Sequence, residues 1–159
     1  MPRPASANAL LKQATAAADA DDHTTALRLL KAAAERFPGR ADIAYRLGAE
    51  YAHVELFDAA DAQMQRALAL DAGLHEARFH LGLVLVTRSR FEEAMGSWQA
   101  LDALPEDHAL HCYKRAFDAL AEDRFDPGRA LIDAGLAAQG SNRAIDEQMR
   151  RLRDSLPVS

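Results

Sequence analysis

Two stretches of the chain set potentially reactive side chains close together. His75, Glu76 and His80 come near the zinc-protease pattern, in which two histidines four residues apart share a helix face and the glutamate between them acts as base. Here the histidines are five apart, which turns the second by about 140° from the first on a helix, so the zinc geometry is absent. His108 and Cys112 are four apart, with His111 adjacent; on a helix that spacing permits a thiolate–imidazole pair or two metal ligands. A nucleophile also needs an oxyanion donor, and nothing nearby supplies one, so a solvated or half-buried helix start is the stronger reading of that segment. Asp21 with Asp22, Glu92 with Glu93 and Glu106 with Asp107 fall at expected helix starts, where carboxylates support the helix dipole. The sequence holds no glycine-rich phosphate loop, no Ser–His–Asp order at a plausible elbow and no calcium loop. These residues predict no enzyme, no metal and no cofactor.

The elements available to position side chains are helices. Of 159 residues, 49% are apolar and 27% charged, alanine and leucine dominate, and β-branched and aromatic residues are few, a balance that favours helix and a single domain over 1–159. A net charge of −5 with scattered basic residues argues against nucleic acid and against an anionic membrane as partners, and leaves a protein surface. Cys112 is the only cysteine, which excludes an internal disulfide and fits a reducing compartment. The N-terminal stretch has an early Arg3 but no apolar core of signal-peptide length, and no apolar run reaches bilayer-spanning length; a cytoplasmic location is expected.

A repeat organises these helices. From Ala41 to Asp71, Leu47, Gly48 and Tyr51 share one helical stripe, Phe57 stands at the turn, and Ala60, Met64 and Ala67 form a facing stripe. One period further on, Leu81 and Gly82 repeat Leu47 and Gly48, Phe91 repeats Phe57, Ala94 repeats Ala60, and Trp98 stands where Met64 stood. A mid-helix glycine costs about 1 kcal/mol against alanine, so its recurrence at 48 and 82 predicts close approach of two helix backbones. One period back, Ala26, Leu30 and Ala33 keep the second stripe, with His23 in the aromatic's place. A degenerate fourth unit keeps Phe125, with Asp126 expected to cap its second helix, Pro127 expected at the first helical position, and Gly128, Ile132 and Gly135 on the packing stripe. After Gly140, Ile145, Met149, Leu152 and Leu156 mark one apolar face of a last helix.

This pattern resembles the tetratricopeptide repeat (TPR) family, whose period is about 34 residues. The resemblance implies an all-α, right-handed α-solenoid of about four helix–turn–helix units, near 7–40, 41–74, 75–108 and 109–142, closed by a capping helix over 143–156. It implies a protein-interaction scaffold or adaptor whose first helices line a concave groove. The matching positions there make Tyr45, Phe79, Leu83, Tyr113 and Phe117 the expected partner contacts, with His53, Glu76 and Arg78 as a polar rim. The groove lacks the Lys, Arg and Asn cluster with which heat-shock cochaperones of this family hold a peptide's carboxylates, so an apolar peptide or amphipathic helix is the expected ligand. A chaperone for a secreted or assembly-prone client, and an obligate subunit of a larger bacterial complex, are the alternatives. An excess of arginine over lysine, with the alanine content, suggests a GC-rich bacterial genome. The segment FHLGLVLV, Phe79 to Val86, is apolar almost all round and must be covered, by neighbouring helices, a terminal segment, a second copy or a partner.

Overall fold

The computed structural model describes residues 6–158; Arg3, with the rest of 1–5, and Ser159 lie outside the described residues. Among the described residues the chain forms α-helices, one short 3-10 segment and no strand. They divide into two compact units that meet in sequence between Ala77 and Arg78. The first contains α1 (Ala7–Asp19), α2 (His23–Arg36), α3 (Ala41–His53), α4 (Phe57–Leu70) and the first turn of α5 (His75–Thr87). The second contains the rest of α5, α6 (Phe91–Trp98), the 3-10 segment Gln99–Ala103, α7 (Ala109–Ala121), α8 (Phe125–Ala137) and α9 (Arg143–Ser155).

Four helix-to-helix turns are built alike. Asp21, Glu55, Ser89 and Asp123 each adopt positive φ, between 57° and 63°, and they stand 34 residues apart throughout. In each turn the N–H of the next residue bonds to a carbonyl five residues back: Asp22 to Ala17 at 2.8 Å, Leu56 to Tyr51 at 2.9 Å, Arg90 to Leu85 at 2.8 Å and Arg124 to Ala119 at 3.0 Å. That is the Schellman termination, here made by residues for which the left-handed conformation carries a steric cost. The repeat is thus written in the backbone as well as in the side chains.

Within each hairpin a small residue on one helix faces a large one on the other. A Cβ on Gly48 would stand 2.9 Å from Met64 Cγ, and one on Gly82 would fall inside the indole of Trp98. Both glycines are there so that α3 and α5 can approach their partners closely. The fourth hairpin inverts the arrangement: Gly135 on α8 leaves room for the ring of Tyr113 on α7.

Side-chain caps start several helices. Ser6 Oγ accepts from Ala9 N at 3.1 Å, Asp22 Oδ1 from Thr25 N at 3.1 Å and Asn142 Oδ1 from Ile145 N at 3.0 Å. Asp126 does not cap α8. The helix begins two residues earlier, at Phe125, and Asp126 pairs with Arg129 at 2.9 Å within the first turn, so Pro127 falls at the third helical position. Proline is tolerated there because the first-turn N–H groups have no helical acceptor. The second helix of the third hairpin is also shorter than its stripe suggests: α6 stops at Trp98 and the chain tightens to 3-10 geometry, keeping Leu101 buried. Leu104 is then extended, as a residue before proline prefers.

Candidate functional site

The segments with potentially reactive side chains resolve into structural roles. His80 is fully buried, and burial pushes its pKa down to about 4, so the ring is neutral near pH 7. His108 Nδ1 accepts from Leu110 N at 3.1 Å, placing the imidazole as the N-cap of α7. Gly140, at φ 107°, passes against the same ring, and Ala109 N bonds to Gln139 O at 2.8 Å, so the α8–α9 connection closes over the start of α7. Cys112 donates its S–H to Glu106 O at 3.5 Å, and burial raises its pKa, which favours the thiol over the thiolate. No group of three or more His, Cys, Asp or Glu side chains converges to hold a metal among the described residues.

The expected partner contacts divide between the units. Tyr45 lies in the first, buried on α3; the other four lie in the second and belong to one aromatic cluster. Phe79 on α5 stacks on Trp98 of α6 at 4.9 Å between centroids, 11° from parallel, and meets Tyr113 and Phe117 of α7 at 5.7 and 6.3 Å. Phe117 also meets Trp98 at 4.8 Å. Trp98 Nε1–H donates to the Phe79 carbonyl at 3.1 Å, which satisfies the one polar atom of the indole in this apolar setting.

These side chains do not present an open surface. Phe79 and Tyr113 are completely buried, Leu83 and Tyr45 nearly so, and only Phe117 is half-buried. In the second unit the cover includes, beside Trp98, Leu101 and Ile132, the helix α9. Its Ile145 and Met149 enter the cluster and are fully buried, while Leu152 and Leu156 pack at the edge. Two polar contacts fix its register. Tyr113 donates its O–H to Asp146 Oδ1 at 2.6 Å, and Gln148 Nε2 donates to His80 Nε2 at 3.1 Å, which leaves the neutral imidazole proton on Nδ1. Burial, reinforced by the Asp146 carboxylate, raises the pKa of Tyr113, so it remains a donor. The apolar run from Phe79 to Val86 thus has a cover within its own unit, one of the possibilities the sequence left open.

The rim residues have their own partners. His53 is exposed and stacks on His23 at 3.9 Å, and His23 Nδ1 lies 2.8 Å from Glu50 Oε2. Glu76 and Arg78 are half-buried and engaged. Lys114 joins the 3-10 segment to α7 through Asp102 at 2.9 Å and Asp118 at 3.0 Å. No helix among the described residues is long and apolar enough to cross a membrane.

Paired helices on a 34-residue period, interlocked by small and large residues, define the helix–turn–helix repeat class. No protein-family model matches the chain, and no curated protein matches its sequence. Solved structures do match. A crystal structure of MamA superposes with a TM-score of 0.65 at 18% identity, over 91% of this chain and 81% of that one. A MamA fragment from Desulfovibrio magneticus RS-1 gives 0.64 at 18% identity, over 82% and 74%. YrrB, described as a TPR protein with an unusual peptide-binding site, gives 0.63 at 20% identity, over 95% and 75%. The chain therefore shares the all-α, paired-helix fold of these proteins.

Proposed function

We propose that the chain is a non-catalytic interaction module that binds a peptide or amphipathic helix of a partner protein. The observation that carries this reading is the α5–α7 face, which already holds an amphipathic helix through two buried apolar side chains and two polar contacts. The fold shared with YrrB, itself described by its peptide-binding site, supports it. Phe117 is the half-exposed edge of the site, with Phe79, Leu83 and Tyr113 beneath it; Tyr45 serves the first unit, and His53, Glu76 and Arg78 form polar rims. The partner is a protein rather than nucleic acid or membrane, because the basic residues form no stripe. The lone cysteine, held as a buried thiol, favours the cytoplasm.

Panning a library of displayed helical peptides against the full chain tests this. Enrichment of amphipathic sequences by the wild type, lost in a folded Phe117→Asp chain, is the expected result. No enrichment, or equal enrichment by both chains, would refute it.

A further inference from the structure

The contacts of α9 read as a recognition pattern. Ile145 and Met149, four residues apart, are its deepest anchors; Asp146 meets the phenol of Tyr113, and Gln148 meets the imidazole of His80, 68 residues away in sequence. All four receiving or neighbouring groups, Phe79, His80, Tyr113 and Phe117, sit on α5 and α7. The remainder of α9 is strongly polar: seven of its thirteen residues are charged, and Arg150 and Arg151 point to solvent. Its apolar face also meets α8, whose Ile132 is fully buried in the same cluster, whereas the polar ties to α8, Arg153 to Asp133 at 2.9 Å and Arg129 to the O of Pro157 just past α9 at 2.7 Å, are exposed, and exposed pairs hold weakly. The helix is therefore retained by its inward apolar face and by the two polar clasps to α5 and α7.

We propose that α9 is an intramolecular stand-in for the partner: a helix with apolar residues at i and i+4, a carboxylate at i+1 and a side-chain amide at i+3 binds the α5–α7 face by displacing it. This rests on the interaction reading above and adds the chemistry of the partner and the closed resting state. Affinity is then set partly by α9, because only the fraction of molecules with α9 released is competent to bind. Weakening its polar clasps, while leaving its apolar anchors, raises that fraction.

The test uses the full chain and a labelled peptide of residues 142–157. The wild type is expected to bind the peptide weakly, and an Asp146→Ala/Gln148→Ala chain about tenfold or more tightly, in proportion to its released fraction. A peptide carrying the same two alanines should lose that gain, since it cannot remake the bonds to Tyr113 and His80. Native-state hydrogen exchange supplies a readout independent of binding: α9 amides should exchange through an opening that leaves α7 amides protected. Equal affinity of the two chains for the wild-type peptide, or α9 amides that exchange only together with those of α7 and α8, would overturn the proposal. So would a dimer of the doubly substituted chain in place of peptide binding, which would point to exchange between copies. A library-selected peptide that binds both chains alike while α9 stays protected would sink the displacement and leave the interaction reading standing.

Discussion

Gly82→Ala adds one carbon atom where the structure has no room for it. The new Cβ would lie inside the indole of Trp98, which is fully buried between Phe79 and Phe117 and bonded through Nε1 to the Phe79 carbonyl. Either α5 and α6 move apart or the indole turns out of its slot. Overpacking of this kind costs about 1–3 kcal/mol, and loss of the indole hydrogen bond about 1 kcal/mol. Alanine returns about 1 kcal/mol through its better helix propensity. The net expectation is a loss of about 2 kcal/mol, or about 6 °C in melting temperature for a chain of this length. Gly96→Ala on α6 is the matched control: its Cβ would meet nothing within 4 Å, so the propensity gain of about 1 kcal/mol stands alone and stability rises. Guanidinium titrations followed by helical circular dichroism and by the fluorescence of Trp98, the sole tryptophan, report both changes. A Gly82→Ala chain as stable as wild type, or a Gly96→Ala chain that loses as much as it does, would refute the packing account.

Three further substitutions probe other parts of the chain. Ser89→Gly removes the steric cost of φ 62° and should stabilise by about 0.5–1 kcal/mol, with a matching rise in the denaturation midpoint. Asn142→Ala deletes the cap on α9 and should cost about 1 kcal/mol, seen as faster hydrogen exchange in that helix than in α7. His80 resists protonation in the folded chain, whereas the unfolded chain takes up the proton near pH 6.5. Its contribution is therefore complete above that pH and lost as pH falls from 6.5 toward 4, by at most about 3 kcal/mol. Urea midpoints measured between pH 7 and 4.5 should fall less steeply in a His80→Gln chain; parallel curves would contradict this assignment.

The helices and their hairpin packing were legible in the sequence because both rest on short-range pattern. Gly48 and Gly82 recur in mid-helix at a cost that only close contact explains, and Met64 and Trp98 stand one period apart on the facing helix. The turns were not legible in the same way. Asp21, Glu55, Ser89 and Asp123 share no side chain that announces the left-handed conformation; their common feature is spacing and hydrogen bonding. Asp126 next to Pro127 looked like a cap, yet the helix gains two more residues by starting at Phe125. The burial of Phe79 and Leu83 was signalled by the apolar run from 79 to 86, but that of Tyr113, and what seals that face, was not. The sealing contacts join His80 to Gln148 and Tyr113 to Asp146, pairs far apart in the chain, and no local periodicity encodes such a pairing.

The four glycine-free turns bear on how such a chain changes length. Each 34-residue stretch carries its own reversal of direction, formed from its own backbone bonds and independent of any single side chain. An in-frame duplication or deletion of one period therefore inserts or removes a complete hairpin without a new junction having to be invented. Recombination can adjust the number of hairpins while point mutation reshapes the side chains each one presents.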